Sequence, residues 1–129
     1  MAQGEYNHIE IPADDPERAQ RFYSELLGWQ FTTMEGFDNY WLYRSGPGEL
    51  GGGLGIRGQT AGDVLRNYVT VDSLDDAVAK VERLGGRIET PKTELPGQGW
   101  YAAVKDSEGN ELGLYELLPR EGSAAGAGG

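Results

Sequence analysis

The sequence predicts an α+β fold, in which two βαβββ modules in tandem form a cupped, mostly antiparallel sheet with the helices outside. Two observations predict it. Each of two amphipathic helical segments follows a short strand-like run and precedes three more. The second half also repeats the first, with matching residues 58 positions apart: Ile11 and Val69, Asp14 and Asp72, Ala19 and Ala77, Leu26 and Leu84, Gly28 and Gly86. Neither half of such a repeat buries its apolar face alone, so we expect one shared domain.

The first helix is predicted in residues 14–29, DDPERAQRFYSELLGW. Asp15 suits the N-cap, Pro16 suits the first helical position, and Gly28 can end the helix in a left-handed conformation. Between these ends, apolar residues recur at the spacing of one helix face: Ala19, Phe22, Tyr23, Leu26 and Leu27. We expect this face to be buried against the sheet.

The second helix is predicted in residues 73–86, SLDDAVAKVERLGG. Ser73 and Asp76 have the S-x-x-D spacing of a capping box, and Gly85 or Gly86 can end the helix. The same apolar spacing recurs at Leu74, Ala77, Val78, Val81 and Leu84. This helix is therefore also expected to bury one face against the sheet.

Strand-like runs lie on both sides of these helices. HIEIPA precedes the first helix, and WQFTTM, YWLYR and GGLGIR follow it. RNYVTV precedes the second helix, and GRIETP, GWYAAVK and NELGLYE follow it. The turn DSEG at residues 106–109 predicts a hairpin between the last two strands. A curved sheet of these strands has a concave inner face, which is the natural place for a ligand cleft.

The predicted domain divides into two modules followed by a tail. Module one spans residues 5–60 and module two spans residues 62–118, within a single domain of residues 1–119. Residues 120–129 are rich in glycine and alanine, and we expect them to form a flexible tail.

The composition restricts the classes of partner. The chain of 129 residues carries 11 Lys and Arg against 21 Asp and Glu, a formal charge of −10. This balance argues against nucleic acid and anionic membranes, which need clustered cations. The absence of cysteine excludes disulfides, thiolate metal ligands and a cysteine nucleophile. We see no signal peptide and no apolar run long enough to span a membrane, so a cytoplasmic protein is expected.

The motifs resemble those of the vicinal oxygen chelate superfamily, which includes glyoxalase I, bleomycin-resistance proteins and extradiol dioxygenases. The resemblance covers residues 5 to 118, and its marks are HIEIPADDPERAQRFYSELLGW, YVTVDSLDDAVAKVERLGG and DSEGNELGLYE. The sequence looks most similar to a glyoxalase-like bacterial branch. The resemblance implies the tandem-module fold and a homodimer, since an open sheet has edges to cover. It does not fix the function, because the superfamily includes isomerases, ring-cleaving enzymes and drug-binding proteins.

The resemblance also implies four metal-ligand positions, on the first and last strands of each module. In this sequence they correspond to His8, Arg66, Gly53 and Gly113. One is an imidazole, one is a cation and two lack a side chain, whereas a catalytic divalent metal needs about three protein ligands. We therefore expect neither a metal nor another cofactor. The alternative is a divalent metal held by His8, Glu10 and Glu111.

His8, the one histidine of the chain, is a candidate catalytic residue together with Glu10. Residues i and i+2 of a strand share a face, so both side chains can point into the cleft as an acid–base pair. The alternative is that His8 is a hydrogen-bonded core residue. A pair between Glu10 and Arg66 is expected in either case, because buried charges are usually paired.

The remaining candidates are predicted to bind the ligand. Aromatic side chains can stack on a flat or cationic molecule. Glycines on the cleft face either leave room for a ligand, so that Gly53 and Gly113 would enlarge the cleft, or let strands approach closely. For any single aromatic residue, the alternative is ordinary core packing. The predicted ligand-binding residues are Arg66, Tyr68, Trp41, Tyr43, Gly53, Trp100, Gly113 and Tyr115. A proline- and glycine-rich segment, TPKTELPGQGW at residues 90–100, is predicted to form a loop over the cleft mouth.

Two function classes follow from the sequence. The first is a metal-independent cleft for a small organic molecule, and the charge of −10 with the aromatic residues favours a cationic or aromatic one. The second is a lyase, isomerase or dioxygenase-type enzyme of the superfamily that uses His8 and Glu10, with or without a divalent metal.

Overall fold

The computed structural model describes residues 3–48 and 50–118. These residues form two helices and one eight-stranded sheet: β1 (Tyr6–Ala13), α1 (Pro16–Leu27), β2 (Thr32–Met34), β3 (Phe37–Arg44), β4 (Gly51–Ile56), β5 (Arg66–Thr70), α2 (Leu74–Val81), β6 (Arg87–Leu95), β7 (Gly99–Lys105) and β8 (Glu111–Leu117). The predicted tail of residues 120–129 and the predicted domain end at residue 119 lie outside the described part.

The predicted α+β fold of two βαβββ modules is confirmed. The strand order is β2-β3-β4-β1-β5-β8-β7-β6, so each module contributes four adjacent strands and the two modules join at β1 and β5. The β1–β4 and β5–β8 pairs are parallel, and the other pairs are antiparallel. Each parallel pair brings the last strand of a module beside its first strand. The seam between β1 and β5 therefore lies at the centre of the curled sheet.

The helix ends follow the predicted capping chemistry. The Asp15 side chain accepts the Arg18 N–H, and Gly28 ends α1 at φ 77°. The Ser73 side chain accepts the Asp76 N–H at the start of α2. However, α2 ends at Val81, three residues before the predicted last apolar position, and Leu84 is exposed.

Each helix covers the core of its own module. In module two, the buried cluster between α2 and the sheet consists of Val71, Leu74, Ala102, Val104 and Leu114. In module one, the buried cluster is Ile11, Ala13, Tyr43 and Leu54, with Ala19 and Tyr23 of α1 packed on it. The apolar face of α1 is only partly covered, since Phe22 is 59% exposed and Leu26 is 63% exposed. The face of α1 that we expected to be buried against the sheet is therefore buried only in part.

The predicted loop at residues 90–100 is mostly strand. β6 continues to Leu95 at the edge of the sheet, with register shifts between Ile88 and Thr90 and between Thr90 and Thr93. Proline lacks a backbone N–H, and an edge strand with irregular pairing tolerates it, which accounts for Pro91 within β6. Among the described residues, no helix is long and apolar enough to cross a membrane.

Candidate functional site

A cleft of about 550 Å³ lies on the sheet face opposite the helices. Its floor is the seam between β1 and β5, where antiparallel pairing sets Glu10 opposite Arg66 and His8 opposite Tyr68. All four side chains line the cleft, because residues two apart on a strand share a face. Its walls are mainly apolar or aromatic: Met34, Phe37, Leu42, Leu95, Tyr101 and Tyr115.

Tyrosine rings fill the space above the two glycines at the ligand positions that the resemblance implies. A Cβ atom built on Gly53 would lie 2.2 Å from the Tyr40 ring, and one built on Gly113 would lie 2.2 Å from the Tyr68 ring. Both distances are far below van der Waals contact. The prediction that Gly53 and Gly113 enlarge the cleft is therefore wrong, because their missing side chains make room for rings from neighbouring strands.

Tyr40 connects His8 to Glu10. The Tyr40 hydroxyl donates to Glu10 Oε2 at 3.0 Å, and His8 Nε2 lies 2.7 Å from the same hydroxyl oxygen. Since the phenolic hydrogen points to Glu10, the His8 Nε2–H donates to Tyr40 in this arrangement. The predicted pair of His8 and Glu10 is thus an indirect one, and Tyr40 is a site residue that the sequence prediction did not select.

Burial favours the neutral form of each of these groups, so it shifts the pKa of His8 and the pKa of Glu10 in opposite directions. It lowers the pKa of His8 to about 4, so its imidazole is neutral near pH 7. It raises the pKa of Glu10 above its ordinary value, against the lowering effects of the Tyr40 hydrogen bond, the Arg66 charge and the Gly62 N–H. It also raises the pKa of Tyr68 to about 12. Burial therefore keeps His8 neutral near pH 7 and makes the Glu10 carboxylate more basic than an ordinary glutamate.

Arg66 is held by Glu111 more closely than by Glu10. Its Nη2 and Nε donate to Glu111 Oε1 at 2.7 and 3.1 Å. Its Nη1 lies 3.9 Å from Glu10 Oε1 and donates to the Tyr68 hydroxyl over 3.4 Å. The predicted pair of Glu10 and Arg66 is present, but its separation exceeds hydrogen-bond distance.

The donor set at the floor does not fit a divalent metal. Of the four implied ligand positions, one holds a guanidinium and two are glycines covered by rings. The alternative set of His8, Glu10 and Glu111 is not supported either, since no three His, Asp or Glu side chains in the described ranges converge as metal ligands. The Tyr40 hydroxyl lies between His8 and Glu10 and is hydrogen-bonded to both. Glu111 accepts two hydrogen bonds from Arg66.

Three of the predicted ligand-binding aromatics face the helices instead of the cleft. Tyr43 stacks on Trp29 at 4.5 Å, and its hydroxyl donates to the Ile9 carbonyl. Trp41 packs against the module-one core, and Trp100 packs against the module-two core. The prediction that these three side chains bind the ligand is therefore wrong. Side chains alternate between the two faces of a strand, so their neighbours Tyr40, Leu42 and Tyr101 face the cleft. Arg66, Tyr68 and Tyr115 do line the cleft as predicted.

The segment that joins the modules also belongs to the site. Residues 59–62 line the cleft, and the N–H of Gly62 lowers the pKa of Glu10. A Cβ atom at Gly62 would lie 2.9 Å from Arg66 Nη2, so glycine lets the guanidinium approach the backbone. The sequence prediction treated this segment only as the boundary between modules, although its position after β4 places it beside the seam.

Fold and cleft together define a two-module curled-sheet protein with a small-molecule-sized cavity at its module seam. The family model of the Glyoxalase/Bleomycin resistance protein/Dioxygenase superfamily matches residues 5–114. The chain therefore belongs to this superfamily.

Two curated relatives match most of this chain at 25–28% identity. The chain is 25% identical to a putative glyoxylase, CFP32, of Mycobacterium bovis over 87% of its own length, but it spans only 44% of that protein. It is 28% identical to a glyoxylase-like domain-containing protein of Didymella fabae, with 83% of this chain and 89% of the relative covered.

Solved structures share the fold at low sequence identity. Methylmalonyl-CoA epimerase from Mycobacterium tuberculosis superimposes with a TM-score of 0.67 at 17% identity, covering 96% of this chain and 97% of that one. The Mn(II)-bound glyoxalase from Novosphingobium aromaticivorans gives a TM-score of 0.63 at 16% identity, covering 90% and 40%. Identities this low establish the fold alone.

Proposed function

We propose that this protein binds a small organic molecule in the cleft between its modules without using a metal. The proposal rests on which side chains stand at the four metal-ligand positions that the resemblance implies. Arg66 brings a positive charge to one of them, and the Tyr40 and Tyr68 rings cover the glycines at two others. His8, at the remaining position, is hydrogen-bonded to the Tyr40 hydroxyl.

The shape and walls of the cleft support a ligand with a flat apolar body. A volume of about 550 Å³ lies within the usual range for small-molecule sites. Phe37, Tyr101 and Tyr115 supply aromatic surface on both sides of the seam. Aromatic side chains contribute much of the binding energy of such sites by stacking on planar groups.

The metal-free part of the proposal is tested by elemental analysis of untagged protein. We expect substoichiometric Ni, Zn, Fe and Mn, and no rise in melting temperature when each ion is added. The His8→Ala variant serves as the control, because it removes the one imidazole. A stoichiometric metal that is present in the wild type and lost in His8→Ala contradicts the proposal.

The binding part is tested by a thermal-shift panel of anionic, neutral and cationic aromatic compounds. We expect one charge class to raise the melting temperature, and the rise to shrink in Tyr101→Ala. If no compound raises the melting temperature and none is detected by ligand-observed NMR, the cleft is not a binding site for small aromatic molecules.

A second candidate function is metal-independent proton transfer, favoured by the raised pKa of the Glu10 carboxyl at the cleft floor. Glu10 would act as the base, with Arg66 and Tyr68 positioned to stabilise negative charge on the substrate. The test is deuterium exchange at acidic C–H positions of compounds that bind, followed by NMR. Exchange that persists unchanged in Glu10→Gln removes this candidate.

We also propose that the protein is a homodimer. The exposed Phe22 and Leu26 on α1 support this, as do β2 and β6, which are the end strands of the sheet within the described ranges. Light scattering coupled to size exclusion should give twice the mass of the chain. A monomeric mass over the accessible concentration range contradicts this proposal.

A further inference from the structure

The ionisable side chains at the cleft floor include more acidic groups than basic ones. Two carboxylates, Glu10 and Glu111, face the single guanidinium of Arg66, and the pKa of His8, lowered to about 4, leaves that imidazole neutral near pH 7. Arg66 gives two hydrogen bonds to Glu111 and none to Glu10. When both carboxyls are ionised, the floor therefore carries one excess negative charge, and this charge lies on Glu10.

The surroundings of Glu10 compensate this charge only in part: Arg66 Nη1 lies 3.9 Å from Glu10 Oε1, and the Tyr40 hydroxyl and the Gly62 N–H donate to the carboxylate. The groups that face it are His8 on β1, Tyr40 on β3, Arg66 and Tyr68 on β5, Glu111 on β8 and the Gly62 N–H. β4 contributes Gly53, which has no side chain. Tyr40 supplies a hydrogen bond but no positive charge, and Glu111 adds a second negative one. Glu10 itself is only 7% exposed, so bulk water solvates it poorly.

We propose that the ligand of this cleft carries a nitrogen cation, which pairs with the Glu10 carboxylate between the aromatic walls. This inference rests on the proposed small-molecule function and names the head group that the site recognises. The positive group lies near Glu10 Oε1, which receives no hydrogen bond from Arg66. Tyr101 and Tyr115 line the same cleft, and the faces of aromatic rings attract cations.

Other head groups are matched less well by the floor. An anion would meet the Glu10 carboxylate, and the guanidinium of Arg66 is already hydrogen-bonded to Glu111. A neutral head group would leave the excess charge on Glu10 uncompensated, which is unfavourable in a buried site. A cation neutralises it directly and gains a charge-assisted hydrogen bond.

Three probes with one flat body separate the head groups: 2-naphthamidine, 2-naphthamide and 2-naphthoate. Calorimetric titration of the wild-type protein should show the amidine binding about tenfold more tightly than the amide, with the carboxylate weakest. This measurement on the wild type does not depend on a variant that folds.

Two variants with the same charge change assign the effect to Glu10. Glu10→Gln should reduce the preference for amidine over amide to about twofold or less. Asp38→Asn removes a carboxylate from an exposed lining position of the cleft, and it should alter amidine affinity less than about twofold because solvent screens it.

Amide or carboxylate binding as tight as amidine binding overturns the inference, and so does an equal loss in Asp38→Asn and Glu10→Gln. Absence of binding by all three probes also overturns it. These outcomes do not by themselves contradict the proposed function. That proposal fails only if no compound of the wider aromatic panel binds, or if the protein carries a stoichiometric metal that depends on His8.

Discussion

The ring of Tyr68 lies across the face of Gly113, its direct partner between β5 and β8, so closely that a Cβ atom at residue 113 would be 2.2 Å from Tyr68 Cδ2. We therefore expect Gly113→Ala to force the ring away from its position. Overpacking of this kind destabilises a protein by about 1–3 kcal/mol. Urea unfolding of the variant measures the loss.

Two further variants separate this contact from a general effect of alanine. Gly48 has no atom near its Cβ position, so Gly48→Ala should leave the free energy of unfolding almost unchanged. The double variant Gly113→Ala, Tyr68→Ala should be less destabilised than the sum of its single variants, because the truncated side chain frees the space. Strict additivity would mean that the ring does not limit residue 113.

Tyr40→Phe should raise the pKa of Glu10 further. The Tyr40 hydroxyl donates to this carboxylate and lowers its pKa, so its removal leaves burial less opposed. We also expect a loss of about 1–3 kcal/mol in unfolding free energy, since the buried groups lose a partner. NMR titration of the Glu10 side-chain carbon gives the pKa directly.

Tyr43→Phe is the matched control for that experiment. It removes one phenolic hydroxyl from a neighbouring position of the same strand, but this hydroxyl donates to the Ile9 carbonyl. The variant should lose stability without changing the pKa of Glu10. An equal shift in both variants would show that the hydrogen bond to Tyr40 does not control Glu10.

The pKa of His8 predicts a loss of stability in mild acid. Burial lowers it from 6.5 to about 4, so the unfolded chain binds a proton between these values that the folded chain does not. Stability should therefore fall as pH drops from about 6.5 towards 4, by up to roughly 3 kcal/mol from this group. Glu10 opposes this trend, because its raised pKa favours the folded state while it holds a proton.

His8→Gln isolates the histidine contribution, because glutamine does not titrate. The difference in unfolding free energy between mildly acidic and neutral pH should shrink in this variant relative to the wild type. If the pH dependence is the same in both proteins, the buried imidazole does not control acid stability.

The fold followed from the sequence because its signals are local and repeated. The capping residues Asp15 and Ser73 and the apolar spacing after them fixed both helices, and the 58-residue offset indicated the second module. The positions of Glu10, Arg66 and Tyr68 in the cleft followed from strand alternation.

The cleft walls could not be predicted with the same certainty. β3 has large residues on both faces, with Tyr40 and Leu42 towards the cleft and Trp41 and Tyr43 towards the helices. Polarity therefore gives no signal for which set faces inward. Whether the space above Gly53 stays open depends on the ring of Tyr40 on the adjacent strand. That is a tertiary contact, which the local sequence does not indicate.

Neighbouring residues of β7 provide the final test of the cleft, because they separate binding from stability. Tyr101 lines the cleft, whereas Trp100 packs against the helix-side core and lies beneath Lys92 Nζ, 5.1 Å from its ring centre. Tyr101→Ala should weaken binding of a flat ligand by about tenfold, in line with the loss of a stacking aromatic. Trp100→Ala should lower the unfolding free energy by about 3 kcal/mol or more while changing affinity little at temperatures where it stays folded. Calorimetric titration and urea unfolding of both variants give the two readouts, and a reversed pattern would place the ligand on the helix side of the sheet.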